Sequence, residues 1–281
     1  MLAYRHQFHA GNFADVFKHA LLTQLVRALA QKDKPFFCLD THAGSGSYDF
    51  AHRWAQQNKE HLQGITLAWA RKDAPPEMAP YLDAVRAENP DGKLRYYPGS
   101  PLLIRRLLRA EDRLAATELN KTDHAELEAL FAHDRQVQVR RMDAYEGLKA
   151  FLPPKERRGL VFVDSAFDRA QEFDRMRRAF AAAHRRFATG VYALWYPLME
   201  PAPMQAFERG LLAARIPKLL QIELSVKPAH WRDSLRGTGM IIANPPFGFE
   251  KIAKGIVEWL WPVLSAQGEG GQRVRWLAGE S

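Results

Sequence analysis

The sequence predicts an α/β chain, doubly wound around a mostly parallel sheet. Short apolar runs such as "GLVFVD" alternate with longer segments of helical period, which is the pattern of repeated strand–helix–strand units. The interiors of these runs stay apolar instead of alternating with polar residues, as strands covered on both faces do. Four of them close on a carboxylate: Asp40, Glu118, Asp143 and Asp164.

The elements follow in order. Asn12 with Asp15 resembles a capping box, and Phe13, Phe17, Leu21, Leu25 and Leu29 recur at helical spacing, giving a helix to about Ala30. "PFFCLD" is a strand ending at Asp40, and "THAGSGSY" a glycine-containing turn. From about 50 to 95 the pattern turns helical around the breaker "APPEMAP", so 49–95 is expected as an inserted helical subdomain between 1–48 and 96–281. "LRYYPGS" gives a short strand and "PLLIRRLLRA" a helix. "RLAATELN", "VQVRRMD", "GLVFVD", "GVYALWYP", "KLLQIELSV" and "GTGMIIAN" then supply further strands. Helices lie between the first five of them, the long basic one reaching Phe187 and another spanning about 203–215. With the strand at 35–40, "GTGMIIAN" is the seventh and last of the sheet.

Bulk composition narrows the function. A chain of 281 residues with 47% hydrophobic content builds one large domain. The net charge of +8 and pI near 9.6 point to a polyanionic partner, since released counterions drive such binding. The single Cys38 excludes an internal disulfide and reads as a small buried hydrophobe. The N-terminal "MLAYRHQFHAGN" lacks the apolar block of a signal peptide, and no run approaches the ~18 apolar residues of a membrane span, so a cytoplasmic protein without membrane contact is expected. No phosphate loop suggests a nucleoside triphosphate, and no Cys/His cluster suggests a metal.

In doubly wound sheets, ligands gather at the carboxyl ends of strands. The turn through Gly44 and Gly46 lets backbone approach a ligand. Glu118 suits the hydroxyls of a ribose, and Asp143 an adenine amine, so an adenosine-containing cofactor fits this set. Helix N-capping is the competing explanation for acids at these places. His19 and His42 are either packing residues or come near the same ligand, and Tyr4, Arg5 and His6 are either a frayed tail or a grip on an unstacked base. The basic stretches at 104–109, 155–158, 175–180 and 184–186 are candidates for phosphate contact or solvated helix faces.

"YRHQFHAGNFADVFKH", "DTHAGSGSY", "LRYYPGSP", "ATGVYALWYP" and "GTGMIIANPPF" together resemble the class I (Rossmann-like) S-adenosylmethionine-dependent methyltransferases. More closely, they resemble the bacterial family that methylates adenine N6 in 23S ribosomal RNA, over essentially the whole chain. The resemblance implies a seven-stranded sheet whose seventh strand runs antiparallel. It implies S-adenosylmethionine held by His19, His42, Gly44, Ser100, Glu118, Asp143, Ala144 and Asp164, with Tyr4 on the target-base side. The partner would be 23S ribosomal RNA, protein-free or early in assembly, met by a monomer with no metal.

Two stretches compete for the catalytic signature of these enzymes, an Asp, Asn or Ser followed by two prolines and an aromatic. "ANPPF" at 243–247 matches fully, and "VDSAFD" at 163–168 only in part. An antiparallel seventh strand would carry Asn244 away from the cofactor, which makes "ANPPF" a proline-stiffened turn with Phe247 packed as core. Asp164 is then the amine-facing acceptor and base, the carbonyl of Ser165 a second acceptor, and Phe167 the stacking partner. The alternatives are a DNA adenine methyltransferase, or an inactive nucleic-acid-binding relative that has lost the two prolines.

Overall fold

The computed structural model describes residues 5–167, 171–199, 201–228, 230–231, 235–265 and 268–279. Tyr4 lies outside them. Helix α1 (Phe13–Ala30) leads to β1 (Phe37–Asp40) and β2 (Ser47–Asp49), followed by α2 (Arg53–Asn58), α3 (Ile65–Trp69) and α4 (Ala79–Ala87). Then come β3 (Tyr96–Pro98), α5 (Ser100–Leu107), β4 (Arg113–Thr117), α6 (Lys121–Leu130), β5 (Val137–Arg140), α7 (Ala144–Phe151) and β6 (Gly159–Val163). The chain closes with α8 (Glu172–Arg186), β7 (Val191–Leu198), α9 (Pro201–Ala213), β8 (Leu219–Ser225), β9 (Gly237–Ala243), α10 (Phe249–Leu264) and β10 (Gly271–Ala278).

The main sheet runs β10-β8-β9-β7-β6-β1-β4-β5. Its parallel part reverses direction of winding between β1 and β6, so the crevice of the doubly wound fold opens at their carboxyl ends. β9 sits between β7 and β8, antiparallel to both, as expected for the seventh strand. The sheet has eight strands, not seven, because β10 adds antiparallel to β8 at the edge. "GQRVRWLA" carries Arg273 and Arg275 and so lacks the apolar run of the inner strands. At a sheet edge, charged residues are tolerated and discourage further pairing. Helix α10 before it is also absent from the sequence-based assignment.

Strand residues alternate between two apolar layers. Cys38, Leu160 and Phe162 face α1, α5 and α10, whereas Leu39, Val161 and Val163 face α7, α8 and α9. Burial on both faces explains the unbroken apolar strands. Helix α1 is buried nearly all round, so its polar residues Asp15, Lys18 and His19 are carried into the interior. Asn12 caps it, accepting from the Asp15 amide at 2.9 Å. Between 53 and 87, the helices α2, α3 and α4 follow one another, flanked by the two-stranded ladder of β2 and β3. Ala55, Ile65 and Tyr81 from this stretch join the same apolar layer as α1. Cys38 is free and fully buried. No helix of the described residues is long and apolar enough to cross a membrane.

Candidate active site

The carboxyl ends of β1, β4 and β6 open into a cavity of about 880 Å3. His19, His42, Gly44, Ser100 and Glu118 line it, as do Asp143, Ala144, Asp164 and Phe167. The residues expected to hold the cofactor, together with Asp164 and Phe167, therefore meet in one space; His6 lines it as well, whereas Arg5 stands outside the lining and pairs with Asp123 at 3.3 Å.

The glycine turn after β1 forms one wall. Gly44 has φ +59°, and a Cβ there would meet the Tyr48 hydroxyl at 2.2 Å. Its amide donates to Glu118 Oε2 at 2.9 Å, and the Asn120 amide to Oε1 at 2.7 Å, so Glu118 is braced against the turn. Burial pushes the Glu118 carboxyl above its ordinary range. Asp40 is fully buried, and its Oδ2 has no hydrogen-bond partner among the described residues. Burial, helped by the negative charges of Asp164 and Glu118, pushes the Asp40 carboxyl up to about 7. Asp143 lies beyond β5, not at its end as the sequence suggested. Its Oδ1 caps α7, accepting from the Tyr145 amide at 2.9 Å, so here capping and the ligand wall coincide.

The two histidines present opposite tautomers. His42 Nδ1 meets the Thr41 hydroxyl at 2.9 Å, and that hydroxyl already donates to the Phe162 carbonyl at 3.0 Å. His42 must then donate through Nδ1, leaving Nε2 an acceptor. His19 Nδ1 is 2.8 Å from the Tyr97 hydroxyl, which is 3.0 Å from that of Tyr81. Among the described residues, Tyr97 is the partner Tyr81 has for its proton. Tyr81 thus donates to Tyr97, Tyr97 to His19 Nδ1, and His19 carries its own proton on Nε2. Burial depresses His19 to about 3, so it works as a neutral donor.

Sequence reasoning placed Lys18 on the first helix but gave it no role. Its ammonium lies 2.6 Å from Asp164 Oδ2 and 2.7 Å from Asp15 Oδ1, and 5.2 Å from the centre of the Trp195 ring. Asp15 also accepts from the Gly11 amide at 2.8 Å and meets His6 Nε2 at 2.9 Å. Burial alone would raise the Asp15 carboxyl, but His6 and Lys18 hold it well below its ordinary value. The buried Lys18–Asp15 pair is balanced because each of its charges has more than one partner. The available signal was a lysine three residues after an aspartate inside an apolar helix.

Asp164 follows β6 directly, and its side chain is 11% exposed, open enough to meet a ligand. Phe167 has φ +51° and packs on Phe173 (centroids 4.6 Å apart) and Trp195 (5.8 Å) while still lining the cavity. At the other end of the sheet, Phe247 is fully exposed, which corrects its assignment to the core. Asn244 donates to the Ala188 and Gly190 carbonyls at 2.7 and 2.9 Å, and this staple holds the proline turn with the ring outside. In the basic stretch 104–109, Arg105 pairs with Asp134, Arg106 with Glu88 and Arg109 with Asp112.

These residues fit S-adenosylmethionine. The turn is one that a Cβ would fill, two carboxylates stand at the ends of neighbouring strands, and a buried oxygen lacks a partner. Residues 33–278 match the family described as "Ribosomal RNA large subunit methyltransferase D, RlmJ". The chain is 41% identical over 280 residues to "Ribosomal RNA large subunit methyltransferase J" of Escherichia coli K12, across the full length of both. It is 40% identical over 281 residues to the protein of the same name from Haemophilus influenzae, again across the full length of both. The crystal structure of protein LPL1258 from Legionella pneumophila superposes with a TM-score of 0.89 at 35% identity, covering 95% of this chain and 98% of that one. By sequence along its whole length, and by fold, the chain belongs to the ribosomal RNA large subunit methyltransferase family.

Proposed function

We propose that this protein transfers a methyl group from S-adenosylmethionine to the exocyclic N6 of an adenine in 23S ribosomal RNA. The observation that carries the reading is Asp164, held by Lys18 at 2.6 Å in the crevice between β1 and β6, in the same cavity as the adenosine-type groups Glu118 and Asp143. The names of the Escherichia coli and Haemophilus influenzae relatives support the large-subunit RNA as substrate.

Bound in the cavity, S-adenosylmethionine supplies an electrophilic methyl group on a sulfonium centre. Glu118 would hold the ribose hydroxyls, Asp143 and the Ala144 amide the adenine edge, and His19, His42 and Ser100 the amino-acid end. The target adenine stacks on Phe167. Asp164, anchored through Oδ2 on Lys18, keeps Oδ1 for one N–H of the amine, and the Ser165 carbonyl takes the other. Both acceptors would favour the pyramidal nitrogen with its lone pair free, and Asp164 would accept the proton that the amine gives up in exchange for the methyl group, the thioether being the leaving group. The adenine must leave its stack to reach this depth, which favours RNA not yet covered by ribosomal proteins. Residues 49–95 form a helical subdomain beside the RNA. The protein works as a monomer in the cytoplasm, and its charge of +8 draws the RNA in.

The test mixes the protein with radiolabelled S-adenosylmethionine and either protein-free 23S RNA or duplex DNA. Label in RNA adenine, lost in Asp164→Ala, is the expected result. Label in DNA alone, or label that persists in Asp164→Ala, would overturn the reading.

A further inference from the structure

The loop that carries Asp164 leaves β6 at Val163 and enters neither helix nor strand through Phe167. Its residues 164–167 include no proline to restrict the backbone, and Phe167 is in the left-handed region, where a bulky residue stays only if its surroundings hold it. Something else has to fix this loop. The Ser165 hydroxyl donates to Glu172 Oε1 at 2.7 Å, and both residues are buried. The same Oε1 accepts from the Tyr145 hydroxyl, and Arg175 Nη1 reaches Oε2 at 3.2 Å.

One buried carboxylate therefore joins three elements: the catalytic loop, α8 on which Glu172 sits, and α7 on which Tyr145 sits. The connection extends to the cofactor side. Tyr145 lies two residues beyond Asp143, and its ring carries the Arg175 guanidinium 5.0 Å from its centre. Arg175 Nη2 in turn lies 3.5 Å from Asp143 Oδ2. Burial and the neighbouring Glu172 carboxylate push the Tyr145 phenol far above its ordinary range, so it remains a donor.

We propose that Glu172 is a positioning residue that acts through Ser165. By accepting the Ser165 hydroxyl, it orients the Ser165 carbonyl and holds Asp164 in register with the adenine side of the cavity, doing by hydrogen bond what prolines would do by restricting φ. The proposal rests on the Asp164 reading above. It predicts that a proline at 165 can replace the hydrogen bond, since either device removes the same backbone freedom.

The experiment compares the full-length protein with Ser165→Ala and Ser165→Pro, reading kcat, both KM values, and hydrogen exchange at the amides of 163–167. Ser165→Ala leaves Glu172 with Tyr145 and Arg175, so folding survives. Its kcat should fall about five-fold, the size of one ordinary hydrogen bond, with both KM values within about two-fold and faster exchange at Ala166 and Phe167. Ser165→Pro should return kcat and exchange toward the parent. Unchanged kcat and exchange in Ser165→Ala would overturn the proposal, and so would failure of proline to rescue either. If the parent transfers no methyl group while the exchange difference stands, the Asp164 reading fails and the tether is upheld.

Discussion

Two turns of this protein follow a strand with an acidic or amide residue, two small or cyclic residues and a phenylalanine. The one at 164–167 opens into the cavity, and the one at 244–247 faces solvent at the opposite end of the sheet. The difference lies in strand direction. β6 runs parallel to β1, so Asp164 emerges beside Asp40. β9 is antiparallel, with Ala243 opposite Tyr192 and Leu219 near the starts of β7 and β8, so Asn244 emerges at the far edge. There its amide staples two carbonyls, whereas Asp164 is reserved by a single ammonium contact. A short signature acquires meaning only from the end of the sheet to which it is delivered.

The comparison would break first at Asp164. Asp164→Ala should lower kcat by about 10²–10⁴-fold, the range for loss of a positioned proton acceptor, while calorimetry shows a much smaller loss of S-adenosylmethionine affinity because Glu118, Asp143 and Ala144 remain. Asn244→Ala measured alongside should leave kcat within about two-fold and lose about 1–2 kcal/mol of stability, for its two backbone bonds. Reversed outcomes would move the chemistry to β9. Next in size is Lys18→Met, which leaves the buried Asp15 and the partly exposed Asp164 without their shared cation. Denaturant titration should register a loss of about 3–5 kcal/mol, and an unchanged midpoint would show that the pair is hydrated and interchangeable.

Smaller effects sharpen the contrast. Tyr97→Phe removes the donor that fixes His19, so the Kd for S-adenosylmethionine should rise about five-fold, and nitrogen NMR should report a mixed His19 tautomer. A single Nε2–H form in the variant would refute that assignment. The cavity end also has a pH signature. Asp40 is raised to about 7 when folded, against an ordinary carboxylate value when unfolded, so the folded state holds the extra proton between them. Its stabilising share is complete below the unfolded value and is lost as pH rises through 7. Asp40→Asn should remove that decline in unfolding titrations between pH 5 and 8, and an identical slope would exclude Asp40 as its source. Phe247→Ser, at the exposed end, should change neither kcat nor stability by more than about 0.5 kcal/mol.

Much of the fold is legible in the chain because it is encoded locally. Asn12 caps α1 by reaching an amide three residues on, the apolar strands announce burial on both faces, and the glycine turn after Asp40 requires positive φ. The carboxylates that end β1 and follow β4 and β6 are likewise visible, since each stands immediately where an apolar run stops. β10 was not, because an edge strand alternating arginine with apolar residues lacks the core pattern. Nor was the exposure of Phe247, because an aromatic between prolines and a glycine reads as packing until the direction of its strand is known.

The sequence by itself therefore determined the helices, strands and turns up to β9, and the carboxylates that close β1, β4 and β6, but not α10 or β10. The tertiary structure alone decided which charges meet. Lys18 reaches Asp164 from a distant helix, and Ser165 shares Glu172 with Tyr145, because the sheet brings remote segments to one edge. Such pairings depend on the direction and register of strands far apart in the chain, to which local periodicity is blind.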